Sequence, residues 1–177
     1  MSIDLTQDYF SLFEVPRAYG LDEGALEAAW HRLQSQVHPD RYAHLSDADK
    51  RRAMQWATRV NEGYRTLKKP LARAQYLLVL AGVDAGVETN TAMSPEFLME
   101  QMEWREGVEE ARTAGEIDEL EQLHRRLLHH SRDVRAELAR QLDVDHDYTE
   151  AADTVRRLMF IEKLQQEIDE ALLALEN

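Results

Sequence analysis

The residues best placed to do chemistry stand in succession as His38-Pro39-Asp40, an imidazole, a locked backbone and a carboxylate. Proline removes a backbone donor and biases the residue before it away from helical dihedrals. The tripeptide therefore forms a stiff loop corner. There His38 can donate or accept a hydrogen bond, and Asp40 offers a carboxylate to a cationic partner surface. Such a corner suits docking. A capped turn with no partner is the plainer reading of the same residues, and by average residue usage the tripeptide arises by chance in roughly one percent of chains this long. Its setting has to decide.

Other chemistry is poorly provided for. Of the seven histidines, His124, His129 and His130 lack the i, i+4 pairing with Glu that a helical zinc site uses, and no glycine loop could cradle a phosphate. There is no cysteine, which excludes disulfides, thiolate zinc and a Cys-held iron-sulfur cluster within the chain. Carboxylate pairs are abundant, but general acid-base work needs a cleft, which helical spacing alone does not build. The expectation is no bound metal, no cofactor and no enzyme activity.

The elements that position the tripeptide are helical. Asp8 to Phe13 is an aromatic turn or short helix that ends before Pro16. Asp22 caps a helix whose stripe is Leu26, Ala29, Trp30, Leu33 and Val37, and Pro39 stops it. Ser46 with Asp49 opens the next helix, with Ala53, Trp56, Ala57, Val60, Tyr64 and Leu67 on one face. Pro70 ends or restarts it, and an apolar helix over 71–81 runs to Gly82. Residues 82–94 read as a linker. Ser94-Pro95 starts a helix that lasts to Ala114-Gly115. A second carries Ile117, Leu120, Leu123, Leu127, Val134, Leu138 and Leu142. Asp147 with Glu150 opens a last one with Leu158, Ile161, Leu164, Ile168, Leu172 and Leu175. The prediction is an all-α chain: a helical hairpin unit over 1–81, a linker over 82–94, and a three-helix bundle over 95–177.

Charge divides the chain. Residues 1–81 hold 11 Lys and Arg against 10 Asp and Glu, net +1, whereas residues 82–177 hold 10 against 24, net −14, so the acidity of a chain with net charge −13 resides in the second part. An acidic bundle repels phosphate backbones, which argues against nucleic acid as a partner. The N-terminus has no basic, apolar signal pattern and no uninterrupted apolar run of about 18 residues occurs, so a soluble cytoplasmic protein with no membrane association is expected.

The helix from Pro95 carries a second candidate surface. Advancing about 100° per residue places Glu100, Glu103, Glu106 and Glu110 in one acidic arc of about 120°, and Phe97, Trp104, Val108 and Ala111 in a core stripe about 90° away. Leu98, Met99 and Met102 do not belong to that stripe. In the last helix Phe160 is about 90° off the apolar stripe, either bundle edge or contact residue. Apolar groups set into an acidic rim suit a binding patch, although a helix touching two neighbours also needs a broad apolar face.

Residues 8–76, with Tyr9-Phe10-Ser11-Leu12-Phe13, the His-Pro-Asp corner between two helices, and Asn61-x-x-Tyr64-x-x-Leu67-x-x-Pro70, resemble a J domain. The strings Pro70-Leu71-x-Arg73-Ala74-x-Tyr76-Leu77-Leu78, Phe97 to Glu106 and Ala151 to Phe160 extend the similarity over nearly the whole chain to co-chaperones of the HscB type. That resemblance implies an N-terminal J domain that docks on a DnaK-class chaperone ATPase (HscA) through His38, Pro39 and Asp40, with Arg41, Arg32 and His31 nearby. It implies, too, a bundle that binds the iron-sulfur scaffold protein (IscU), with Leu98, Met99, Met102 and Phe160 as anchors and Glu103, Glu106 and Glu110 as rim. Three departures stand out. J domains usually carry several basic residues on the helix before the tripeptide, where this chain has only Arg32 with His31. Arg41 stands where Lys is common, and Met102 where Leu is frequent, a change that keeps volume. The Cys-rich module of eukaryotic relatives is absent, which implies a bacterial origin. A J protein serving another client, and a small hydrolase built on a bundle, are the rival readings.

Overall fold

A computed structural model describes residues 6–37, 46–84 and 94–176. They form α1 (Tyr9–Phe13), α2 (Glu23–Val37), α3 (Asp47–Lys68), α4 (Pro70–Leu80), α5 (Pro95–Ala114), α6 (Ile117–Arg140), a π-helical turn (Gln141–Asp145) and α7 (Tyr148–Glu176). No strand occurs among the described residues. The chain divides into two compact units, Met1–Leu77 and Leu78–Asn177, with the division inside α4. Most of the linker expected over 82–94 lies outside the described residues.

In the first unit α2 and α3 pair as a hairpin with α1 laid across them. The Asp8 carboxylate caps α1, accepting from the Ser11 amide at 3.0 Å and from Arg17 at 2.7 Å. Burial works to raise the Asp8 pKa, but the Ser11 and Arg17 hydrogen bonds outweigh it, and the carboxyl is held below its usual value. Phe10 and Phe13 are almost fully buried, and α1 approaches α3 at Gly63, where a Cβ would lie 2.8 Å from the Tyr9 ring and 2.9 Å from that of Phe13. The hairpin is stitched by Asn61, whose side-chain oxygen accepts from Gln34 at 2.5 Å and from the Trp30 indole at 3.4 Å, and by Tyr64 stacked on Trp30 at 4.7 Å. Tyr64 is thus half-buried at the hairpin rim, not in the core face where periodicity puts it. Ala53, Trp56, Val60 and Leu67 fill that face as expected.

Arg73 and Tyr76 of α4 have structural tasks. Arg73, only 5% exposed, donates to the Leu67 carbonyl at 2.6 Å and lies over the Tyr19 ring, satisfying an acceptor at the end of α3. The Tyr76 hydroxyl accepts from the Tyr9 amide at 3.0 Å, a donor at the start of α1 without a helical partner.

The second unit is an antiparallel three-helix bundle. Ser94 caps α5 by accepting from the Phe97 amide at 3.2 Å, Gly115 closes it with φ of 69°, and Asp147 caps α7 through the Glu150 amide. The core is a continuous aliphatic column from α6 (Leu120, Leu123, Leu127, Val134, Leu138) and α7 (Ala151, Val155, Leu158, Ile161, Leu164, Ile168). Each large side chain buried there stabilises by about 1.5–3 kcal/mol. Helix α5 adds only Phe97, Val108 and Ala111 as buried residues, so much of its surface is left to solvent.

Candidate functional site

On α5 the exposed surface is the unusual one. Leu98, Met99 and Met102 are 45%, 62% and 70% exposed, in a helix that buries Phe97, Val108 and Ala111. Met102 stands four residues after Leu98 and three after Met99, so the three adjoin on one side of the helix. Glu103 and Glu106 follow at the next turn, with Glu110 beyond, and all three are exposed. Nothing in helix formation calls for two methionines and a leucine in water, and exposed apolar groups fringed by charge have the make-up of an interaction surface.

Phe160 reaches α5 from α7. Its ring meets Phe97 edge to face with centroids 6.0 Å apart, and the Arg105 guanidinium lies over it at 5.7 Å. The side chain is half-buried, so it is bundle edge and still partly open. A second guanidinium, Arg157, covers the Phe97 ring at 5.8 Å. The two phenylalanines tie the N-terminal half of α5 to the middle of α7, which fixes the azimuth at which Leu98 and Met102 are presented.

Two residues on α5 are placed otherwise than periodicity suggests. Glu100, counted in the acidic arc, turns to α6, where its carboxylate lies 2.9 Å from His130 Nε2 with both side chains about a third exposed. Trp104, expected in the core stripe, is half-buried beneath Arg126, 5.2 Å from the ring centroid, with the His130 ring at 6.3 Å. A large ring at a polar helix seam is covered by a guanidinium instead of aliphatics. His130 thus lies in the seam between α5 and α6, whereas His129 is exposed, 3.2 Å from Asp133 one turn along. Arg105 gives no signal in the acidic arc. Its one trace in the sequence is the two-turn spacing from Leu98.

A groove of about 560 Å³ continues along α5 and α7, floored by Val108 and Ala171 and walled by Arg105, Arg112, Lys163 and Glu167. It mixes both signs of charge. Among the described residues no cluster of three metal-ligating side chains occurs, and no helix is long and apolar enough to cross a membrane.

Of the residues predicted for the first surface, His38, Pro39, Asp40 and Arg41 lie outside the described residues. His31 and Arg32 are exposed on α2, His31 beside the Trp30 ring and Arg32 2.8 Å from Glu14. An exposed pair of this kind is worth about 0–1 kcal/mol, so it does not commit Arg32.

Comparison with known proteins gives a consistent result. Residues 93–169 match the family described as the HSCB C-terminal oligomerisation domain. Over the full length of both chains the sequence is 75% identical to the co-chaperone protein HscB homolog of Azoarcus sp. (strain BH72), and 69% identical to that of Aromatoleum aromaticum. Among solved structures, it is similar to the chaperone HscB from Vibrio cholerae, with a TM-score of 0.83 and 38% identity over 96% of this chain and 99% of that one. The human co-chaperone protein HscB matches with a TM-score of 0.89 and 28% identity, over 96% of this chain and 84% of that one.

Proposed function

Because the chain belongs to the HscB co-chaperone family, we propose that its bundle binds the iron-sulfur scaffold protein (IscU) and its J domain presents that client to the DnaK-class ATPase (HscA). In this reading Leu98, Met99 and Met102 on α5, with Phe160 on α7, are the apolar anchors, and Glu103, Glu106 and Glu110 select a partner with cations at its rim. His38, Pro39 and Asp40 form the corner that docks on the ATPase and stimulates hydrolysis, with Arg41, Arg32 and His31 beside it. The protein works in the cytoplasm, contributes no catalysis of its own, and serves cluster assembly without holding a cluster.

The observation that carries the proposal is the exposed patch of Leu98, Met99 and Met102 fringed by exposed glutamates. Burying it on a partner removes large apolar side chains from water, and a few such residues usually carry most of an interface's energy. The mechanism follows from linkage. A scaffold held on the bundle is at high local concentration for a chaperone docked on the same polypeptide, and hydrolysis in that chaperone then traps the client.

Asp40→Asn should abolish ATPase stimulation and leave scaffold binding intact. Leu98→Ala with Met102→Ala should weaken scaffold binding by about tenfold or more and leave stimulation without scaffold intact. Calorimetric titration and steady-state hydrolysis assays measure the two. Loss of both functions in either variant contradicts the division of labour, and stimulation without any scaffold binding by the parent protein means another client.

A further inference from the structure

The two flanks of the apolar patch on α5 differ in charge. Going round that helix at about 100° per residue, Arg105, Leu98, Met102, Glu106 and Glu103 succeed one another over about 160°. Acids thus border one flank and a cation the other, and the cationic flank is the one toward α7, since Arg105 lies over the Phe160 ring. On α7, Lys163 stands one turn after Phe160 and lines the same groove as Arg105. Cations are scarce in this acidic bundle and nearly all are engaged within it. Arg112, Arg125, Arg135, Arg140, Arg156 and Arg157 meet carboxylates, and Arg105 and Arg126 cover aromatic rings. Lys163 and Arg132 are exposed and make no ion pair among the described residues. Glu167 follows Lys163 by four residues without pairing with it, so no ion pair of the bundle uses that ammonium. Arg132 projects from α6, which contributes no residue to the groove.

We infer that Lys163 is a specificity-determining residue of the client surface: its ammonium receives a carboxylate of the scaffold protein, on the flank away from Glu103, Glu106 and Glu110, and so gives docking a single polarity. The inference rests on the function proposed above and adds the opposite sign of charge to it. The glutamates attract any basic surface from a distance and do not decide which way round it lands. A cation on the far side of the apolar anchors does decide. A partner turned end for end would set its own cations against Lys163 and its carboxylate against the glutamates, and like charges brought together reject that orientation. The dimensions suit a single partner. Leu98 and Arg105 are about 10 Å apart along α5, and Lys163 stands on the α7 wall of the groove that Arg105 lines from α5. A footprint of about 800 Å² per partner, roughly 30 Å across, takes in all three.

The test is calorimetric titration of the scaffold protein into the full chain at low salt, comparing the parent, Lys163→Glu, Lys163→Arg and Arg132→Glu. Both reversals to Glu change the net charge equally and at exposed positions, and a melting curve checks that each variant folds as the parent does. General attraction of a basic client to an acidic bundle makes the same prediction for both: binding no weaker than the parent's, because negative charge is added. A carboxylate facing residue 163 predicts opposite signs. Lys163→Glu should raise Kd about fivefold, with the difference shrinking at high salt, whereas Lys163→Arg stays within twofold of the parent and Arg132→Glu binds as tightly as the parent or more tightly. Lys163→Glu binding within twofold of the parent, or tighter, would overturn the inference, and so would equal weakening by Lys163→Glu and Arg132→Glu. If the parent does not bind the scaffold, the function proposed above fails and the inference with it. Weakening by Leu98→Ala with Met102→Ala but not by Lys163→Glu sinks the role of Lys163 alone.

Discussion

The four apolar residues proposed as anchors differ in how far they serve the fold. Met99 and Met102 are mostly in water, whereas Phe160 is half-buried against Phe97 and beneath Arg105. Substitution should separate them. Met99→Ala should change the melting temperature by less than about 2 °C, corresponding to under about 0.5 kcal/mol, while lowering scaffold affinity by about 1 kcal/mol or more. Phe160→Ala should lower both, with a stability loss of about 2–3 kcal/mol, since it removes an aromatic pair at the bundle edge. Equal stability losses for the two would mean that Met99 packs inward. Helical phase alone separates Leu98, Met99 and Met102 from the core stripe, so their exposure is legible in the amino-acid sequence. Glu100 and Trp104 depart from their helical phase for a common reason: His130 and Arg126 reach them from α6, and a projection of one helix contains no neighbour.

At the level of elements, the ends of the helices are easiest to read. Ser46, Ser94, Asp147 and Gly115 all cap where their residue types suggest, because a cap is a local bargain between one side chain and backbone within three or four residues. The π-helical turn after α6 carries no such signal. It lies between α6 and the left-handed residue His146, whose ring nitrogen is 2.9 Å from the Leu142 carbonyl, and it depends on how the chain turns into α7. The packing of α1 on α3 gives a sharp prediction. In Gly63→Ala the new methyl gains about 1 kcal/mol of helix propensity but meets two rings at under 3 Å. Neither ring yields easily, as Phe13 is 1% exposed and Tyr9 is held by Tyr76 and Arg59. Overpacking costs about 1–3 kcal/mol, so a net loss of up to about 2 kcal/mol is expected in urea unfolding. Stabilisation instead would show that α1 lifts freely from the hairpin.

For the molecule as a whole, charge separates two tasks. The acidic second part and the near-neutral first part are both visible in residue counts, and 24 acids against 10 bases over residues 82–177 make the bundle a long-range attractor for a basic partner. Raising salt from about 0.05 to 0.5 M shortens the screening length several-fold. Scaffold association should slow by about tenfold while dissociation, governed by the apolar anchors, changes little, as stopped-flow measurements can check. Faster dissociation with an unchanged on-rate would assign the glutamates to the bound interface itself. The seam where Trp104 lies against His130 has an optical consequence. Trp104 is the one tryptophan of Leu78–Asn177 and stands two residues from Met102, so its emission reports on the surroundings of that patch. With Trp30 and Trp56 replaced by phenylalanine, the protein's ultraviolet glow would come from α5 alone, giving a label-free beacon for client arrival.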